Sequence, residues 1–96
     1  MQRIEVLNRL SSHQQEIKEL KVKSLSLFGS AARDEAGPES DVDLLVEFDG
    51  PVGLFHFIRV RRYLADLLQE RVDLVTPDAL KPKMREQVLK EAIHAA

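Results

Sequence analysis

The amino-acid sequence predicts a small α/β (α+β) domain: a mixed sheet of three or slightly more strands with about four helices packed on it. Three observations carry this prediction. Two long stretches, about 3–20 and 53–69, repeat apolar residues at helical spacing. Three short apolar runs, at about 24–28, 42–48 and 71–76, are bounded by turn residues and have strand length. Helical and strand-like segments then alternate along the chain, which favours helices layered on a small sheet.

Each element has its own signal. Ile4, Leu7, Leu10, Ile17 and Leu20 mark the first helix, with charged and amide residues between them. Ser24 to Phe28 reads as a buried strand closed by Gly29-Ser30, after which Ala31-Ala32-Arg33 suits the first turn of a short helix. Asp34 to Ser40 contains Gly37-Pro38 and reads as a loop. Val42 to Phe48 is the strongest strand, ended by the turn Asp49-Gly50-Pro51. Phe57, Val60, Leu64, Leu67 and Leu68 define the second long helix, and Arg71 to Thr76 a third strand stopped by Pro77. Pro82 fits the first turn of a last helix with an apolar face of Met84, Val88, Leu89, Ala92 and Ile93.

The bulk numbers exclude several classes. Ninety-six residues make one small domain, read here as residues 1–96. A hydrophobic fraction of 44% and a charged fraction of 31% describe an ordinary globular chain. No apolar run has the length of a membrane span and the N-terminus lacks an apolar secretory segment, so a cytoplasmic protein without a membrane partner is expected. Cysteine is absent, which removes disulfides and thiolate metal sites. A net charge of −2 gives no general attraction to nucleic acid.

Gly29-Ser30, ten residues, then Asp41-Val42-Asp43 is the pattern that carries chemistry. At about 6% usage for each fixed residue, chance places it in a chain of this length roughly once in a thousand. Strand periodicity puts the Asp41 and Asp43 carboxylates on one face and Val42 and Leu44 on the other. Two carboxylates aimed at one point repel unless a cation lies between them. Magnesium suits that place, because it takes oxygen ligands and keeps positions for phosphate oxygens and water. Gly29 leaves room for a phosphate to approach, the helix-start amides and the Ser30 hydroxyl can donate to it, and Arg33 adds a positive charge one helical turn on. Asp73 alternates with Val72 and Leu74; if its strand lies beside Asp41 and Asp43, three carboxylates converge as two-metal phosphoryl transfer requires. Taken singly, each feature has a plainer explanation: a polar strand start, a serine-capped turn, a solvated arginine, an exposed strand aspartate.

Together these residues resemble the nucleotidyltransferase superfamily whose fold is shared with DNA polymerase β. The stretch Ser40 to Phe48 and the compact length look like the minimal nucleotidyltransferases, and within them most like MntA-type antitoxins. The likeness runs from Ser24 through Pro77. It implies AMP transfer from ATP, with two magnesium ions on Asp41, Asp43 and Asp73 and the triphosphate on Gly29, Ser30 and Arg33. It further implies a HEPN-domain ribonuclease toxin as partner in a hetero-oligomeric complex, modified on a tyrosine. Two positions depart from the common pattern: Ala31 stands where many relatives carry a basic or bulky residue, and Asp34 where many carry glycine. An extra acid at Asp34 is expected to weaken phosphate binding. A non-catalytic antitoxin that occludes its toxin, or nucleotidyl transfer to a small molecule, remain as alternative readings.

The remaining polar residues carry less. His13, His56 and His94 fall on three predicted helices with no metal-spaced partner. Arg59 and Arg62 share a helix face, and Lys81, Lys83 and Arg85 cluster near the last helix; a solvated face explains both groups. Tyr63 is the only tyrosine, so any tyrosine self-modification falls there.

Overall fold

A computed structural model of the chain describes residues 1–37 and 39–96; Pro38, in the expected Gly37-Pro38 loop, lies outside the described residues. The elements in order are α1 (Arg3–Ser12), α2 (Gln14–Glu19), β1 (Val22–Phe28), α3 (Gly29–Ala32), β2 (Val42–Phe48), α4 (Leu54–Leu68), β3 (Val72–Val75), a short 3₁₀ turn (Pro77–Ala79), α5 (Pro82–Glu91) and β4 (Ile93–His94). The expected long helix at 3–20 is therefore two helices. Ser11 and Ser12 both turn their hydroxyls back to the Asn8 carbonyl, and the chain breaks at His13, whose backbone leaves the helical region.

Among the described residues the sheet has four strands in the order β3-β2-β1-β4. β1 runs antiparallel to both β2 and β4, while β2 and β3 are parallel, joined by α4 as the crossover helix. The sequence reading missed β4, a two-residue strand that begins where the apolar face of the last helix was expected to continue. Ile93 pairs with Leu27 and His94 with Ser26.

One face of the sheet carries the core. Val42, Leu44 and Val46 alternate inward along β2 and meet Leu25 and Leu27 of β1, Val6 and Leu10 of α1, Ile17 of α2, and Val60, Leu64 and Leu68 of α4. Burying a Leu or Val side chain fully stabilises the fold by about 1.5–3 kcal/mol, so this layer dominates the stability. Ile4, expected on the inward stripe of the first helix, is exposed, and Val6 takes that place.

The other face carries Ser24, Ser26, Asp43, Leu45, Glu47 and Asp73, set by the same alternation. α5 leads from the β3 edge to the β4 edge, and of its expected apolar face only Val88 is buried, with Met84 54% and Leu89 52% exposed. Among the described residues no helix is long and apolar enough to cross a membrane.

Candidate active site

β1 and α3 meet at Gly29, whose φ of +72° lies in the left-handed region that favours glycine. Sterics require glycine as well. A Cβ at this position would come 3.0 Å from Cγ and 3.3 Å from Cβ of Asp43, overlapping its carboxylate. The turn therefore lies directly against the first acid-bearing strand, and the Gly-Ser half of the pattern touches the Asp-x-Asp half.

The α3 turn is closed by a Schellman arrangement. Glu35 N–H donates to the Ser30 carbonyl at 2.8 Å and Asp34 N–H to the Ala31 carbonyl at 3.2 Å, with Asp34 at φ +60°. A glycine at this position would adopt that backbone without strain. The Asp34 Oδ1 accepts from the Arg3 N–H at 3.0 Å, capping the start of α1, and the Arg3 guanidinium donates to the Ala32 carbonyl at 3.3 Å. Ala31 is buried in the core, so a long side chain there would need new space.

The carboxylates come together in part. Phe28 pairs with Asp43 across β1 and β2, and Asp43 pairs with Asp73 across β2 and β3, so Asp43 is the central acid of the row. Burial first, then the negative charges of Asp73 and Asp41, push the Asp43 carboxyl up to about 6, against a smaller opposing pull from Arg33. Asp41 lies just before β2, exposed, and its Oδ1 accepts from Arg71 Nε at 3.0 Å. Arg71 also donates to the Glu39 carbonyl. Among the described residues no three His, Cys, Asp or Glu side chains are gathered closely enough to hold a cation. Asp43 and Asp73 are direct register neighbours, and Asp41, near enough for its charge to raise the Asp43 carboxyl, is paired with Arg71.

Arg33 is likewise engaged. Its Nε contacts Glu35 at 3.1 Å and Nη1 contacts Glu91 of α5 at 3.2 Å, and the hydrogen bond to Glu35 holds the guanidinium more firmly charged. Neither Arg71 nor Glu91 was singled out from the sequence. Their partners are distant along the chain, and no local spacing signals such a pair.

An oxygen-only set with one carboxyl pushed toward neutrality by burial and by its neighbours fits a hard divalent cation. Asp41 needs only to leave an exposed ion pair, worth about 0–1 kcal/mol, to join it. The other sequence candidates lie elsewhere. His13 Nδ1 pairs with the Arg9 carbonyl at 3.0 Å, His56 Nε2 with the Leu20 carbonyl at 2.6 Å, and His94 is on β4 rather than on a helix. Arg59, Arg61 and Arg62 are exposed on α4, which packs on the opposite face of the sheet from Asp43. Half-buried Tyr63 packs against that same layer; burial and the charges of Glu16 and Glu19 push its hydroxyl up.

Comparison with known proteins agrees with this geometry. Residues 10–94 match the family described as nucleotidyltransferase domain. The chain is 40% identical over 91 residues to the protein adenylyltransferase MntA of Thermococcus cleftensis, spanning 94% of this chain and 92% of that protein. A Methanocaldococcus jannaschii protein assigned as a protein adenylyltransferase is 37% identical over 92 residues, 94% of each chain. A solved structure assigned to the minimal nucleotidyltransferases superposes with a TM-score of 0.84 at 38% identity, covering 97% of this chain and 95% of the other. A toxin–antitoxin crystal structure with AMP-PNP shares the fold at a TM-score of 0.68 and 22% identity, over 86% of this chain and 72% of the other. On the matched 10–94 span and these full-length similarities, the chain belongs to the nucleotidyltransferase domain family.

Proposed function

We propose that the 96 residues form a single protein adenylyltransferase domain, which transfers AMP from ATP to a hydroxyl of a partner protein. The observation that carries this reading is the contact between Gly29 and Asp43. A turn on which only glycine fits is pressed against a carboxylate that burial and then the neighbouring carboxylates hold at about 6. The curated relatives at 37–40% identity, with their adenylyltransferase names, support the protein as acceptor class.

Gly29 and Ser30 bind the β- and γ-phosphates, the glycine by leaving space and the serine by donating from its hydroxyl. Arg33 turns from Glu35 and Glu91 to the triphosphate. Asp41, Asp43 and Asp73 would hold two magnesium ions; when bound, these neutralise charge on the phosphates and lower the pKa of the acceptor hydroxyl. The acceptor oxygen bonds to the α-phosphorus as the bond to the departing pyrophosphate breaks, and its proton passes to solvent. The central position of Asp43, with Gly29 on one side and Asp73 on the other, supports a reacting phosphate bound beside it.

For the partner, we infer a HEPN-type ribonuclease toxin modified on tyrosine, with this chain as its antitoxin. Support comes from the fold shared with toxin–antitoxin complexes, one of them a tri-AMPylated Shewanella oneidensis HEPN toxin with its MNT antitoxin (TM-score 0.60, 20% identity). The test is incubation of the chain with labelled ATP, magnesium and the partner encoded beside it, followed by mass spectrometry. Tyrosine peptides bearing added AMP, absent with Asp41→Asn, are the expected result. A partner that is silenced without added mass, and recovers on separation, would establish occlusion instead.

A further inference from the structure

β2 is longer than the strand beside it. Its pairing with β3 stops at Leu45 and Val75, where Thr76 leads into the Pro77–Ala79 turn. Val46, Glu47 and Phe48 therefore have no strand neighbour on that side, and among the described residues no backbone hydrogen bond joins them to Thr76–Leu80. A recess of about 570 Å³ opens here, bounded by this strand edge, the Gly50–Val52 turn, Thr76–Asp78 and Leu89 of α5. A cavity of this size is in the range that holds a ligand-sized group.

The lining has a definite chemistry. Phe48, Pro51, Val52, Pro77 and Leu89 supply apolar walls, while Glu47 and Asp78 supply two carboxylates. No Lys or Arg lines the recess, and neither acid takes part in an ion pair among the described residues. Two uncompensated carboxylates repel a triphosphate, so the recess does not suit ATP. They suit a cation on an apolar stem, as in a lysine or arginine side chain. The unpaired strand edge adds backbone donors and acceptors, which an extended polypeptide can satisfy and a small amine cannot.

Position links the recess to the candidate active site. Glu47 is on the same face of β2 as Asp43 and four residues further along, about 13 Å at strand rise. We propose that this recess is a subsite for the acceptor polypeptide, which lies along the free edge of β2 and places a lysine or arginine against Glu47 and Asp78. The inference rests on the reading that the acceptor is a protein. It places the basic residue about four positions from the modified hydroxyl in an extended segment.

Binding and transfer are tested separately. The ¹⁵N-labelled chain is titrated with the capped peptide Ala-Ala-Arg-Ala-Ala, its glutamate counterpart and its norleucine counterpart, and amide shifts are followed. The arginine peptide is expected to move the amides of Val46–Phe48, Thr76 and Asp78. The other two should bind at least tenfold more weakly. The double variant Glu47→Gln, Asp78→Asn, at exposed positions, should remove the arginine preference while its amide spectrum otherwise stays that of the folded parent. Equal binding of the three peptides, shifts confined to other surfaces, or an arginine preference that survives the double variant would overturn the subsite. If the subsite fails while Asp41→Asn still abolishes AMP transfer, the enzymatic reading stands alone; if the peptide binds as expected and no AMP is transferred, the recess stands as a peptide site.

Discussion

Neutralising Asp43 should make the metal-free protein more stable while removing its activity. The native carboxyl is held at about 6 against an ordinary 3.8, chiefly by burial and then by Asp73 and Asp41. Taken at face value this separation corresponds to roughly 3 kcal/mol between the two protonation states. Asp43 is only half-buried, and solvent screening reduces the effective figure to about 1 kcal/mol. The sign follows from the raised value. Below the unfolded pKa both states are protonated and nothing is lost; as pH rises through about 4 to about 6, the unfolded state releases its proton first, and the folded state loses stability relative to it. Asp43→Asn removes that loss at nearly constant volume. In buffer with EDTA at pH 8, its Tm should exceed that of the parent by about 5 °C for a domain of this size, and the gain should shrink as pH falls toward 4. Magnesium should raise the Tm of the parent more than that of the variant, because it binds only the folded site. Thermal denaturation followed by circular dichroism measures all three. A variant no more stable than the parent at pH 8, or a gain independent of pH, would refute the electrostatic account.

Other outcomes follow from the same geometry. Gly29→Ala should destabilise by about 2 kcal/mol or more, since it combines a left-handed alanine with overlap against Asp43, and should abolish AMP transfer; urea denaturation and labelling with radioactive ATP check both. Asp41→Asn should abolish transfer with a stability change within about 1 kcal/mol, because its partner Arg71 is an exposed residue. Asp34→Ala should cost about 1–2 kcal/mol through loss of the α1 cap at a strained φ, whereas Asp34→Gly relieves the strain and should cost less. Leu64→Ala, in the fully buried layer between α4 and the sheet, should cost about 2–5 kcal/mol by denaturant titration.

Much of the fold was legible because its signals are local. The strand Val42–Phe48 alternates except at buried Leu45; Val60, Leu64 and Leu68 recur at helical spacing, and Pro77 and Pro82 punctuate where expected. What escaped was decided by tertiary context. The break at His13 depends on two serine hydroxyls returning to one carbonyl, which propensity alone does not reveal. β4 exists because the chain after α5 meets the open edge of β1, so Ile93 and His94 leave the helical pattern to pair with Leu27 and Ser26. The amphipathic stripe of α5 was misleading for a related reason. Periodicity identifies an apolar face without saying that anything covers it, and Met84 and Leu89 remain half-exposed.

The candidate site divides along the same line, and the division has a chemical reading. Gly29, Asp43 and Asp73 were legible because strand alternation and register suffice to bring them together. Arg33 and Asp41 were legible as charges but not in their present contacts, since Glu91 and Arg71 reach them from distant segments. These two groups are the ones that would have to move for a triphosphate and its cations. Each is held by exposed pairs worth about 0–1 kcal/mol, far less than charge-assisted hydrogen bonds to a phosphate return. The central acid is different. Asp43 lies against Gly29, and burial beside the charges of Asp73 and Asp41 disfavours its ionised form. A proton or a cation relieves that cost, and at pH 8 the proton is largely gone. The part of the site that the backbone fixes is therefore the part a cation would stabilise, and the part left to side chains is the part held only by ion pairs that can open.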